Sequence, residues 1–178
     1  TITGTTTEGQ TLTAANTLSD PDGLGAIAYQ WYRDGQPILY GGTLKDEANG
    51  VDGLNNATGL TLSVDGQHAY VTGYTDDAVS WYERNATSGA LTYGGVLKDG
   101  MGGVDGLNGA RGVTLSADGN HAYVSGYADD TVSWYEINAG SGALTYVGLL
   151  RDGDGVVDGL NWTRDIAFSP DGKHAYVA

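Results

Sequence analysis

The segment Val-Asp-Gly-Leu-Asn begins at Val51, again at Val104 and again at Val157, so the chain repeats with a period of 53 residues. Residues 51–103 and 104–156 align without a gap, and 38 of their 53 positions are identical. Copies that similar must fold alike, and a unit of this length is a supersecondary element that buries its apolar faces by stacking on its neighbours.

Within a copy, four short runs with strand character occupy residues 112–116, 121–126, 131–136 and 143–150. Ala117-Asp-Gly-Asn120, Ala128-Asp-Asp130 and Asn138-Ala-Gly-Ser-Gly142 separate them, and Gly and Asx residues supply the tight or left-handed geometry of turns. No stretch has helical periodicity. Four antiparallel strands per repeat predict an all-β chain whose units are blades of a β-propeller. Val113, Leu115, Ala122, Val124, Val132, Trp134 and Leu144, with their equivalents one period earlier, are the expected packing between blades. Trp81 and Trp134 belong to that packing rather than to a ligand platform.

Eight Lys and Arg stand against 22 Asp and Glu, a formal charge of −14, which repels nucleic acid and anionic membrane. There is no cysteine, so disulfides, thiolate metal sites and cysteine nucleophiles are excluded. No apolar run approaches the roughly 20 residues of a membrane-spanning helix. A chain opening at Thr1 with neither an initiator Met nor a signal segment is expected to be a stretch of something longer.

Ser169-Pro-Asp-Gly-Lys-His-Ala-Tyr-Val177 and Ala143-Leu-Thr-Tyr146 resemble the repeats of the lactonase-like, YVTN-type bacterial propellers. The resemblance covers residues 38–178 and implies a ring of about seven blades, often outside the cytoplasm, in a family where a few members hydrolyse lactones and many have no known activity. On that alignment the chain holds a half-blade at 38–50, blades at 51–103 and 104–156, and a half-blade at 157–178. Residues 38–46 would form the last strand of a blade, as 91–99 do. Propellers close with about four to eight blades, so the expected partners are the remaining blades of a longer chain or, alternatively, the complementary half-blades of other copies in a homo-oligomer.

Residues 1–37 differ. Thr5-Thr-Thr-Glu-Gly-Gln-Thr-Leu-Thr13, Leu18-Ser-Asp-Pro-Asp-Gly-Leu24 and Tyr29-Gln-Trp-Tyr-Arg-Asp-Gly35 resemble the start of the immunoglobulin-like repeats of large bacterial surface adhesins, and stop short of the seven or so strands of a sandwich.

Successive turns of an up-and-down blade alternate between its two ends, so the second turn and the inter-blade loop share one end. That end gathers Asp76, Asp77, Asp129 and Asp130 with Asp46, Asp52, Asp99, Asp105, Asp152, Asp154 and Asp158, and any binding face is expected there. Asp152, Asp154 and Asp158 have the first, third and seventh positions of a calcium loop, but Val156 takes the fifth and no Glu the twelfth. Calcium held by these three carboxylates and plain solvated turn aspartates are the two alternatives. His68, His121 and His174 recur with the period at the opposite end, out of reach of those acids, and Ser63, Ser116 and Ser169 read as turn caps.

With near-identical copies, an adhesin-like neighbour and no converging acid, base and nucleophile, these residues predict a non-catalytic extracellular or cell-surface module that binds a protein or glycan. The alternative is a lactonase-type hydrolase acting at the acidic end, its carbonyl polarised by a divalent metal. The feature that would discriminate is an asymmetric cluster of Glu, Asn, His or Arg at one mouth of the channel, expected from blades outside this chain.

Overall fold

Alternating side chains bounded by Asp-Gly and Asn-Gly turns leave the repeat little choice but short antiparallel strands, and a computed structural model of the chain has that form. It describes residues 42–178 together with the backbone of four two-residue strands nearer the N-terminus. The chain divides into two units, Thr1–Tyr40 and Gly41–Ala178. In the first, β1 (Ile2–Thr3) pairs with β2 (Thr13–Ala14), and β3 (Tyr32–Arg33) pairs with β4 (Gln36–Pro37), both antiparallel. The rest of residues 1–37, on which the immunoglobulin-like resemblance falls, lies outside the described residues, as do residues 38–41 of the expected strand at 38–46, whose described part forms no strand.

In the second unit, β5 (Ala57–Leu62), β6 (His68–Gly73), β7 (Ala78–Arg84) and β8 (Leu91–Lys98) form one four-stranded meander. Then β9 (Ala110–Leu115), β10 (His121–Gly126), β11 (Thr131–Ile137) and β12 (Leu144–Arg151) form a second, and β13 (Ile166–Phe168) with β14 (Ala175–Val177) begins a third. These are two propeller blades and part of a third. Neighbouring blades touch mainly through their first strands, β5 against β9 and β9 against β13. The sheets therefore fan outward from an inner edge made of first strands.

Stacking of the two blades builds a shared core. Tyr70 and Val79 of the first blade lie in one apolar cluster with Val104, Leu107, Ala110, Val113, Ala122, Val124, Tyr135 and Leu144. The expected Val113, Ala122, Val124, Val132 and Leu144 are buried, whereas Leu115 is only partly so, and the earlier equivalents Leu60 and Leu62 are exposed on the face of β5 that no described blade covers. Trp81 packs flat over Gly94 and Gly95 of its own blade, where a Cβ would come within 2.6 and 2.4 Å of the indole. This is the packing role expected of it.

Tyr82 and Tyr135 are buried, and their hydroxyls meet Ser80 and Ser133 at 2.9 and 3.0 Å. Tyr70 lacks such a partner: its hydroxyl is buried with no hydrogen bond. Burial, and then the charge of Asp65, pushes its pKa up to about 12. A buried donor left unmade is destabilising, so Tyr70→Phe is expected to raise the stability by about 1 kcal/mol, seen as a shift of the urea midpoint at unchanged slope.

The first turn of each blade is locked in one way. Ser63, Ser116 and Ser169 donate their hydroxyls to Asp65, Asp118 and Asp171, and the same oxygens accept the backbone N–H groups of His68, His121 and His174. They are turn caps, as expected. The Ser116 hydroxyl, followed by the Asn120 backbone and side-chain amides, brings the pKa of Asp118 down to about 2. Because the folded value lies below that of the unfolded chain, this contribution is full above the ordinary aspartate pKa and is lost as pH falls towards 2. Ser116→Ala should move the acid-unfolding midpoint, followed by circular dichroism, to higher pH.

Candidate functional site

Each inner strand begins right after an inter-blade loop, so its first residues stand at the acid-rich end. Position by position, the three copies place Thr58, Arg111 and Arg164 there, followed by Gly59, Gly112 and Asp165, and preceded two residues earlier by Asn56, Gly109 and Trp162. The otherwise near-identical repeat thus diverges on one wall. An open cleft of about 320 Å³ runs along it, lined by Thr58, Gly59, Leu60, Arg111, Gly112, Val113, Arg164 and Asp165.

The arginines are held from behind by hydroxyls. Thr72 accepts the N–H of Gly59 at 2.9 Å and donates to the Arg111 carbonyl. Ser125, its equivalent, accepts the N–H of Gly112 at 2.8 Å and donates to the Arg164 carbonyl at 3.0 Å. One hydroxyl per blade thereby ties its own inner strand to the next. That close approach requires glycine at 59 and 112, where a Cβ would stand 2.4 and 2.6 Å from the carbonyl oxygens of Arg111 and Arg164.

Aromatic rings lie against the guanidiniums. The Arg111 guanidinium lies 4.5 Å from the centre of the Tyr127 ring and 5.0 Å from that of Tyr74, and Arg164 lies 5.6 Å from Tyr127. Trp162 stacks on Tyr127 with ring centres 6.3 Å apart and planes at 18°. Among the described residues neither arginine forms an ion pair, the salt bridges being Lys98–Asp52, Arg151–Asp105 and Lys173–Asp171. The Arg111 Nε–H is buried and has no acceptor. Two unneutralised guanidiniums over tyrosine faces are suited to an incoming carboxylate, phosphate or carbonyl oxygen.

The aspartates of this end fall into repeated groups. Carboxylate oxygens of Asp46, Asp52 and Asp76 lie within 4.8 Å of one another, as do those of Asp99, Asp105 and Asp129. Among the described residues these are the trios that could hold a metal ion. Each aspartate also supports the fold. Asp46 and Asp99 accept the N–H groups of Leu54 and Leu107, Asp76 and Asp129 those of Asn55 and Asn108, and Asp52 and Asp105 pair with Lys98 and Arg151. Asp152 caps Leu160 in the same way, at 2.8 Å. The expected Asp152, Asp154 and Asp158 do not form such a trio: Asp152 caps its loop as Asp46 and Asp99 cap theirs, and Asp154 sits at a tight turn closed by the Val157 N–H to its carbonyl. Burial, then the charges of Asp99 and Asp105, raise the pKa of Asp129, opposed by the Asn108 N–H. Of the recurrent histidines, His68 is covered by Gly142 of the next blade and His174 is exposed.

An asymmetric cluster of Glu, Asn, His or Arg was expected from blades outside this chain, and the pair of Arg111 and Arg164 lies within it. Its signal is carried by the positions where the copies differ, whereas the period is defined by the positions where they agree.

No curated protein matches the chain. Among solved structures, the chain aligns over 67% of its length with 30% of a putative 6-phosphogluconolactonase from Bacteroides fragilis, at 25% identity and a TM-score of 0.55. It aligns over 67% with 31% of the periplasmic gluconolactonase PpgL of Pseudomonas aeruginosa, at 28% identity and a TM-score of 0.56. A putative 6-phosphogluconolactonase from Bacteroides uniformis, 19% identical over 80% of the chain, shares the fold at a TM-score of 0.58. The chain spans about a third of the length of the first two. The family described as "Lactonase, 7-bladed beta-propeller" matches residues 59–178, two blades and the start of a third, and the chain belongs to that family.

Proposed function

We propose that this chain supplies consecutive blades of a lactone-hydrolysing propeller, and that the arginine-lined cleft is where its substrate binds. The observation that carries this reading is the pair Arg111 and Arg164, unneutralised and seated on Tyr74 and Tyr127 at the inner edge. The similar proteins named gluconolactonase and 6-phosphogluconolactonase support it. The guanidiniums hold an anionic substituent or the carbonyl oxygen of the lactone, where negative charge grows as water adds to the carbonyl carbon. Asp165, on the same wall, is the carboxylate placed to take the proton from that water. The ring C–O bond then breaks and its oxygen is protonated, leaving the open hydroxy acid.

The non-catalytic surface module rested on copies too alike to build an asymmetric site, and the wall of Arg111, Arg164 and Asp165 supplies that asymmetry. An extracytoplasmic setting remains our proposal from the charge of −14 and the absence of cysteine, and further blades are proposed to complete the ring. The test is hydrolysis of glucono-δ-lactone and its 6-phosphate, followed by proton release with and without EDTA. A rate above buffer with the phosphorylated lactone preferred is expected, and loss of that rate in EDTA would assign a metal ion, with the aspartate trios as its holders. A rate equal to buffer for both lactones sinks the reading.

A further inference from the structure

Asparagine two residues before threonine, with any residue but proline between, is the acceptor triplet of N-linked glycosylation, and a folded chain can use it only where it is exposed. The triplet occurs three times: Asn56-Ala-Thr58, Asn85-Ala-Thr87 and Asn161-Trp-Thr163. In two of them the fold has taken the threonine. The Thr58 hydroxyl lies between inner strands, bonded to Thr72 and to the carbonyls of Ala110 and Arg111. Thr163 is buried, and its hydroxyl donates to the Thr131 carbonyl at 3.1 Å.

Asn85 stands differently. It opens the turn between β7 and β8, where residues 85–89 are exposed. Its carboxamide oxygen accepts the backbone N–H groups of Thr87 and Ser88 at 3.0 and 2.9 Å. Among the described residues the Asn85 Nδ2 and the Thr87 hydroxyl have no hydrogen-bond partner. The same turn in the second blade closes on Asn138 through the N–H groups of Gly140 and Ser141, with glycine where the first has Thr87. The Thr87 hydroxyl therefore has no part in shaping the turn. That second turn also lies against the blade before it, Gly142 covering His68, and residues 138–141 are still exposed. Stacked blades thus leave this corner in solvent. Because successive turns alternate between the ends of a blade, it lies at the end away from Arg111 and Arg164, and a bulky group on it leaves the cleft clear.

We propose that Asn85 is an acceptor site for N-linked glycan, the one of the three triplets that the folded protein presents. The donor is an oligosaccharide carried on a lipid pyrophosphate, transferred by an oligosaccharyltransferase in the extracytoplasmic setting proposed above. The Asn85 Nδ2 bonds to C1 of the first sugar as the bond from C1 to the pyrophosphate oxygen breaks. The lipid pyrophosphate leaves with that electron pair, and the amide gives up one proton. Lactone hydrolysis has no part in this step, so either proposal can fail alone.

The folded protein is incubated with a single-subunit oligosaccharyltransferase and its lipid-linked oligosaccharide, and intact and peptide masses are measured. One glycan is expected, on Asn85. Asn85→Gln and Thr87→Ala should lose it at an unchanged melting temperature, and Thr87→Ser should keep it. Synthetic peptides bearing the Asn56 and Asn161 triplets should be modified, since no fold occupies their threonines. Folded protein left unmodified at Asn85 would overturn the proposal, as would glycan on Asn56 or Asn161 to the same extent. Peptides that stay unmodified would mean that local sequence rather than the fold selects Asn85, and would overturn the structural selection. A Thr87→Ala variant that melts well below the parent would make Thr87 a structural residue and overturn its assignment to the acceptor site.

Discussion

Gly59→Ala is expected to lower the stability of the blade pair by about 3 kcal/mol, at the upper end of what one inserted methyl group does in a close-packed place. Its Cβ would stand 2.4 Å from the Arg111 carbonyl oxygen, 2.8 Å from the Thr72 hydroxyl and 3.1 Å from the Val113 nitrogen. Backbone of the next blade cannot swing aside as the tip of a side chain would. The inner strands must separate, and the hydroxyl bridge from Gly59 N–H through Thr72 to the Arg111 carbonyl parts with them. Chemical denaturation measures the loss, and Gly89→Ala is the useful contrast: it is strained by a φ of 73° yet meets nothing within 4 Å. A Gly59 variant no less stable than the Gly89 variant would mean that the blades are not pressed together at their inner edge.

Arg111→Met is expected to weaken the binding of an anionic ligand about 100-fold, the scale of a lost hydrogen-bonded charge, and to leave the melting temperature nearly unchanged. Methionine keeps an apolar stem against Tyr74 and Tyr127 while removing the guanidinium. Because Arg111 makes no ion pair among the described residues and its Nε–H has no acceptor there, its removal leaves none of their buried carboxylates without its cation. Titration with inorganic phosphate or a phosphorylated lactone reads the change. Unaltered affinity would remove Arg111 from the site, whereas a large fall in melting temperature would make it a structural residue. The proposed lactone hydrolysis should fall in step with affinity.

These two expectations come from different layers of the sequence. Gly59 and Gly112 belong to what the copies share: strands, turns, buried alternation and the serine-capped first turns could all be read from a 53-residue period. Arg111, Arg164, Asp165 and Trp162 belong to what the copies do not share. Differences between repeats carry no period, so nothing in the linear pattern marks three substituted positions as neighbours. The aspartates show the same divide. Their gathering at one end followed from strand alternation, but only the tertiary structure showed that Asp99 and Asp105 of an inter-blade loop meet Asp129 of a second turn, as Asp46 and Asp52 meet Asp76.

By itself, then, the amino-acid order determined the repeating unit, its strands and the residues that lie between blades, because each of these follows from spacing along one chain. Only the stacked blades decided that positions 53 residues apart meet on a single wall, and that a threonine or serine hydroxyl ties each inner strand to the next. The reason is geometric: the inner strands come close enough for backbone to touch side chain across the copies, a distance that no interval in sequence measures.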